Sequence, residues 1–214
     1  GNTATAVTDF NNNLANAAFS NGVTYDAVTG LITVPAGVTS FTVGYATTQD
    51  NIFEADETTT LTVGGAVGTG TITDNDPITL TVGNDTKVEG NNLIQTVTLS
   101  NASSSAQTYA ISLTGNTATA GTDFNANLAN ATFSNGVTYN AGTGLVTVPA
   151  GVTSFTVSYS TVNDVLNEVS ETTTLTVGGA VGTGTIIDND PIRSEERSVR
   201  KEEVQKWRSH GTLY

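Results

Sequence analysis

These 214 residues contain no cysteine and no methionine, one histidine, one tryptophan, and only seven basic residues. Each shortage removes a class of chemistry. Without cysteine there is no thiolate catalysis, disulfide scaffold or cysteine-type zinc site. The histidine (His210) and the tryptophan (Trp207) both lie after Ile192, so residues 1–192 cannot assemble a Ser-His-Asp or Cys-His centre. No glycine-rich loop leads into a lysine in the pattern that cradles phosphate. Aromatics make up 7% of the chain, too few for the sugar platforms that accompany paired carboxylates in glycoside hydrolysis. An enzyme is therefore not expected. No apolar run approaches the ~20 residues of a membrane span, so membrane insertion is not expected either. The chain starts inside a repeat, and a native terminus upstream is expected, so the lack of a signal peptide excludes nothing.

Charge is unevenly placed. Six of the seven bases (Arg193, Arg197, Arg200, Lys201, Lys206, Arg208) follow Ile192, together with Glu195, Glu196, Glu202 and Glu203. Residues 1–192 hold Lys87 against 16 acids, a balance of −15. Such a body repels nucleic acid and anionic membrane and attracts cations.

A tandem repeat dominates what remains. Gly1–Ile78 aligns without a gap on Gly115–Ile192, and 62 of 78 positions are identical. Both copies end in Gly-Thr-Gly-Thr-Ile, one variable residue, and Asp-Asn-Asp-Pro-Ile. Long near-identical repeats mark an array, built for reach and for presenting surfaces.

Thr, Val, Gly, Asn and Ala prevail, and period-two alternation is frequent. Phe155, Val157 and Tyr159 alternate with Thr156 and Ser158, and Leu175 and Val177 with Thr174 and Thr176. Strands are predicted over Ile78–Val82, Leu93–Leu99, Gln107–Leu113, Leu145–Val148, Thr153–Ser160, Thr172–Val177 and Thr183–Ile187. In the first copy they are predicted over Leu31–Val34, Ser40–Tyr45 and Thr58–Val63. Asn-Gly, Gly-Gly and Pro-Ala-Gly breaks separate them. Seven or eight short strands in about 114 residues predict an all-β fold: antiparallel immunoglobulin-like β-sandwich repeats.

One 114-residue period fits 77–190 or, permuted, 1–114. Asp-Asn-Asp-Pro reads as a boundary turn, because Pro stops a strand. The expected organisation is a complete repeat over 77–191 and a partial repeat over 1–76 that lacks its N-terminal strands. Repetition fails after Ile192, and 192–214 reads as a basic tail left by a frameshift or by cloning, or as a native appendage.

The acids of the complete unit are Asp85, Glu89, Asp123, Asp164, Glu168, Glu171, Asp188 and Asp190. They fall at predicted strand ends and turns, with Glu89 after the first strand and Asp188-Asn-Asp190 after the last. A sandwich gathers its loops at two ends, so several can converge. Hard cations such as Ca²⁺ take ~6–8 oxygen ligands from such loops. Acids that merely solvate turns are the alternative, and spacing leaves both open.

The run Gly115-Asn-Thr-Ala-Thr-Ala-Gly-Thr-Asp-Phe124, with its copy Gly1–Phe10, resembles the Calx-beta family. Val88-Glu-Gly90, Asn163-Asp164 with Glu168 and Glu171, and Asp188-Asn-Asp190 resemble it in kind and order. The resemblance implies a seven-stranded sandwich with calcium at one end. Its ligands would be Glu89, Asp123, Asp164, Glu168, Glu171, Asp188 and Asp190. In the first copy they would be Asp9, Asp50, Glu54, Glu57, Asp74 and Asp76, with no equivalent of Glu89. Asn163, Gln49, Asn189 and Asn75 stand where the family often has acids, which implies fewer or weaker ions. The Thr/Gly/Asn-rich repeats also resemble the extender regions of large bacterial surface adhesins.

The function expected is a calcium-binding repeat that extends and stiffens a secreted or cell-surface adhesin. Its partners would be neighbouring repeats and an extracellular glycan or protein target. The alternative is a metal-independent module that binds a glycan, surface or protein through Thr-rich strands such as Thr58-Thr-Thr-Leu-Thr62 and Thr172-Thr-Thr-Leu-Thr176.

Overall fold

The structure, a computed structural model, describes residues 3–191. The expectations for the tail, with His210 and Trp207, fall outside that range. The chain divides into two compact units, Gly1–Pro77 and Ile78–Tyr214.

Unit 2 is a two-layer β-sandwich. The strands of its two sheets are β1 (Leu80–Val82), β2 (Asp85–Val88), β3 (Leu93–Leu99), β4 (Gln107–Gly115), β5 (Thr132–Phe133), β6 (Thr138–Asn140), β7 (Leu145–Val148), β8 (Ser154–Tyr159), β9 (Glu171–Val177) and β10 (Ala180–Ile187). One sheet has the order β5-β8-β3-β1, the other β6-β7-β4-β9-β10-β2. Pairing is antiparallel except between β10 and β2, which run parallel with Gly184 opposite Asp85.

Alternation sets the inner faces, since successive side chains on a strand point to opposite sides. In β3, Leu93, Gln95, Val97 and Leu99 are buried and the residues between them exposed. They sit beside Phe155, Val157 and Tyr159 of β8. From the facing sheet come Ile111 and Leu113 of β4, opposite Val177 and Leu175 of β9. Most of these side chains are essentially inaccessible, and burial of a Val, Leu or Phe stabilises the fold by ~1.5–3 kcal/mol each.

A polar strut crosses this core. The Tyr159 hydroxyl donates to Gln95 Oε1 at 2.9 Å and lies 2.7 Å from Thr173 Oγ1. Gln95 Nε2 donates to the Gly83 carbonyl at 3.1 Å. The repeated Gly-Thr-Gly acquires its reason here. A Cβ on Gly182 would lie 2.5 Å from Val82 Cγ1 and 2.7 Å from Gly83 O, and one on Gly184 would lie 2.5 Å from the Tyr159 hydroxyl.

Several predicted strands change. Ile78–Val82 shortens to Leu80–Val82, Leu31–Val34 to Leu31–Thr33, and Ser40–Tyr45 to Val43–Gly44. The last strand starts at Ala180, not Thr183, because a tight hairpin pairs Ala180 with Val177 around Gly178-Gly179. Asp85–Val88 was not anticipated as a strand, since Asp-Thr-Lys-Val shows no apolar alternation. Glu89 therefore follows the second strand, not the first.

Unit 1 contains separate strand pairs: Ala18–Phe19 with Val43–Gly44, Thr24–Asp26 with Leu31–Thr33, and Glu57–Val63 with Ala66–Ile72. Of its described hydrophobic residues only Ala4 and Val23 are buried.

Candidate metal centre

The acids of unit 2, all but Asp85, collect at one end of the sandwich, where β2, β4, β8 and β10 finish and β9 begins. Asp123 is held most firmly. The Thr119 amide donates to its Oδ2 at 2.5 Å, and the Val162 amide donates to its carbonyl at 2.8 Å. The next residue, Phe124, is fully buried and meets Tyr159 edge-on at 6.4 Å between centroids. A core aromatic thus anchors a site carboxylate one residue away. The turn before Asp123 needs a left-handed residue, and Gly121 supplies it at φ 88°.

Two triads result. Asp123, Glu168 and Glu171 have ligand atoms within 4.8 Å of one another, and so do Glu89, Asp188 and Asp190. Asp164 joins members of both triads around a cleft of about 10 Å³, near the room of one water-sized particle. Its own Oδ1 accepts the Leu166 amide at 2.7 Å. Glu89 Oε1 accepts the Asn189 amide at 3.4 Å, and Asp188 Oδ1 that of Asp190 at 3.3 Å. Asp190 Oδ2 is buried and has no hydrogen-bond partner.

Asp85 stays away from this end. It lies on the sheet, where its carboxylate accepts from the Ile94 amide at 2.7 Å and pairs with Lys87 at 3.2 Å. Burial pushes its pKa up, but these bonds outweigh burial and hold it below its usual value. Lys87, the single base among the described residues, is thereby engaged away from the triads.

Protons partly fill the deficit of positive charge. Burial, then the neighbouring carboxylates of Asp123, Glu168 and Asp164, push Glu171 up to about 7. Glu168 is raised by burial and by Asp164, Asp123 and Asp188. Glu89 is raised by burial, eased by the Asn189 amide, and raised further by Asp190 and Asp188. Carboxylates crowded without a base favour a shared proton or a cation.

Unit 1 repeats half of this. Asp9, Glu54 and Glu57 form a triad within 4.8 Å, and burial, then Asp9 and Glu54, raise Glu57. Asp50, Asp74 and Asp76 line the same cleft, about 40 Å³, with Gln49 and Asn75. Gln49 Nε2 donates to Asn75 Oδ1 at 3.0 Å and to Asp76 Oδ2 at 3.1 Å.

Sequence reasoning missed Asn167. Its amide donates to Asp188 Oδ2 at 3.0 Å and to the Asp190 carbonyl at 2.7 Å, joining the β8–β9 loop to the terminal acids. The available signal was that it differs from its counterpart, Phe53.

No family model matches the sequence, and no curated protein matches it. Solved structures are similar. The apo-form Calx CBD1 domain aligns at TM-score 0.41 and 18% identity, over 53% of this chain and 98% of that one. CBD12 from CALX1.2 aligns at 0.42 and 19%, over 52% of this chain and 45% of that one. The calcium binding domain CBD12 of CALX1.1 aligns at 0.42 and 19%, over 52% and 46%.

Proposed function

We propose that the chain is a calcium-binding β-sandwich repeat that extends and stiffens a secreted or cell-surface adhesin. The observation that carries the metal reading is Asp190 Oδ2, buried without a partner inside the triad of Glu89, Asp188 and Asp190. An unpaired buried carboxylate oxygen is costly, and a cation relieves it. Donor chemistry narrows the ion. The site offers carboxylate and amide oxygens in irregular loops, with no histidine or cysteine, which suits Ca²⁺ better than the small octahedral shell of Mg²⁺.

Glu89, Asp188 and Asp190 would hold one ion, and Asp123, Glu168 and Glu171, with Asp164, a neighbouring one. Asp9, Glu54 and Glu57, flanked by Asp50, Asp74 and Asp76, form the equivalent place in unit 1. Bound calcium supplies positive charge among loops far apart in sequence. The chain's own residues orient it: the Thr119 amide fixes Asp123, and Asn167 ties its loop to Asp188 and Asp190. Amides at Asn163 and Asn189, where further acids could stand, lower the site charge and point to the weak class of extracellular calcium modules, Kd on the order of 10⁻⁴–10⁻³ M. Calcium at that level outside cells, and the near-identity of the copies, support a rod-like array whose partners are neighbouring repeats.

A second reading rests on the outer face of the six-stranded sheet. Thr138, Thr147 and Thr108 lie side by side, as do Thr114, Thr174 and Thr183, and Thr172, Thr185 and Thr86. This uncharged face favours a metal-independent contact with a glycan, surface or protein. The Thr-rich runs do not lie wholly on it: Thr173 and Thr59 are buried.

Thermal unfolding of the whole chain in EDTA, Ca²⁺ and Mg²⁺ separates the readings. Ligand that binds only the folded state adds about 2.7 kcal/mol at a hundred times Kd. A rise of several degrees with Ca²⁺ alone is expected, and Asp164→Asn with Glu168→Gln should remove most of the unit 2 share. No response to Ca²⁺ overturns the metal reading. A target retained under chelation supports the second.

A further inference from the structure

We propose that the metal end of unit 2 docks on an anionic phospholipid surface, with calcium bridging its acids to lipid phosphates and a rim of exposed aliphatic side chains entering the headgroup layer. Docking of this kind rests on the calcium reading above and gives that site a partner.

The rim is a feature that metal binding does not need. Eight large hydrophobic residues are exposed among the described residues of unit 2, and six of them lie within two positions of a triad acid or of Asp164. Val162, Val165, Leu166 and Val169 share the β8–β9 loop, and Val165 and Val169 are 62% and 81% exposed. Val88 and Ile187 pair at the ends of β2 and β10, next to Glu89 and Asp188. Alternation accounts for their placement: where a strand end turns an acid into the cleft, its neighbour faces outward. It does not account for the residue type, since an outward position in solvent suits a polar side chain.

The two copies of the repeat diverge at this end. Of 78 aligned positions 62 are identical, which leaves 16 differences, and eight of these fall within 162–170 or at 187. Four of them replace Thr48, Asn51, Ala55 and Thr73 with Val162, Val165, Val169 and Ile187, all exposed. Another replaces Asp56 with Ser170 and removes a charge. Gathering the acids does not require these changes, because Asp9, Glu54 and Glu57 meet in unit 1 without them.

Charge and polarity identify the partner. Protein interfaces place an apolar centre inside a polar rim, and this end has the reverse, a charged centre inside an apolar rim. At a phospholipid surface, aliphatic side chains reach the boundary between headgroups and acyl chains. Ca²⁺ takes ~6–8 oxygens and can share them between carboxylates and lipid phosphates. Without the ion, the −15 balance of residues 1–192 repels an anionic surface, so docking requires calcium. The attachment is peripheral and made by side chains.

The test sediments the whole chain with mixed phosphatidylcholine–phosphatidylserine vesicles and with phosphatidylcholine vesicles, in Ca²⁺ and in EDTA. The chain should pellet with the mixed vesicles in Ca²⁺ alone. Val165→Asn, Val169→Ala and Ile187→Thr together restore the residues of the first copy. That variant should bind the mixed vesicles roughly tenfold more weakly or worse, while its rise in unfolding temperature with Ca²⁺ matches that of the parent chain. Calcium-raised unfolding without vesicle binding overturns the lipid proposal and leaves the calcium reading standing, whereas no calcium response of either kind overturns both. Equal binding to phosphatidylcholine alone, or by the triple variant, also overturns the lipid proposal. So does a calcium-dependent dimer seen by light scattering without lipid and lost in the variant, which would assign the rim to a second copy of the chain.

Discussion

Tyr45 and Tyr159 occupy the same place in the repeat and end in different surroundings. Tyr159 is 2% exposed and bonded on both sides. Tyr45 is half-buried with one hydroxyl neighbour. The same split runs through Phe10 and Phe124, Leu61 and Leu175, and Val34 and Val148, the last pair 42% against 1% exposed. These residue types are identical, so side-chain hydrophobicity did not decide their burial. The segment Ile78–Thr114, present in unit 2 and without counterpart in unit 1, did. Burial belongs to the whole sandwich; a strand offers only one face of it.

The acidic ends survive this difference better than the cores. Asp9 and Asp123 are 8% and 7% exposed, held by matching bonds from Thr5 and Thr119. Their loop closes on itself within a few residues. What unit 1 lacks at that end is the partner supplied by Glu89, and its cleft is correspondingly wider.

The sharpest way to break the comparison is one substitution made twice. Gly182→Ala drives a methyl into Val82 and Gly83 and should cost ~1–3 kcal/mol, the range for overpacking. Gly68→Ala meets open space and should leave exchange at 57–63 within experimental error. Equal effects would mean that the two cores are alike after all.

A smaller effect concerns the turn before the buried aspartate. Unit 1 has Val7 at φ 75° where unit 2 has Gly121 at φ 88°. A left-handed β-branched residue costs ~1–2 kcal/mol, less the ~0.5–1 that glycine loses through its freedom when unfolded. Val7→Gly should therefore stabilise unit 1 by up to about 1 kcal/mol, measured by exchange at the amides bonded to Asp9 and its turn.

The smallest concerns pH. In EDTA, Glu171 holds its proton to about 7 when folded, against 4.5 as its ordinary value. The folded state binds the extra proton, so this stabilisation is complete below pH 4.5 and is lost as pH rises through 7. Denaturant midpoints for unit 2 should decline over that window, and Glu171→Gln should flatten the decline. With Ca²⁺ present the slope should reverse, since the ion competes with the proton.

Much of the candidate site was legible because carboxylates that serve a sandwich end must sit at strand ends, and strand ends are marked by Gly, Asn and Pro. Glu168, Glu171, Asp188 and Asp190 stand out that way, but so does Asp85, which the structure engages with Ile94 and Lys87 instead. The motif around Asp123 pointed to that residue, but its reason, an anchoring Phe124 and a Thr119 amide, needed the fold. Asn167 escaped because an amide in a loop has no pattern of its own. β2 escaped because an edge strand secured by Asp85 and a parallel neighbour needs no apolar alternation.

Taken alone, the order of residues determined the all-β class, the repeat, and the concentration of acids in turns, because period-two alternation, turn chemistry and identity between copies are local properties. The tertiary structure alone decided which acids meet, that Asp85 is spent on Lys87 and Ile94, and that one copy buries its core while the matching residues of its twin stay partly exposed. Those outcomes depend on strands more than thirty residues away, and no local pattern records whether such a strand is there.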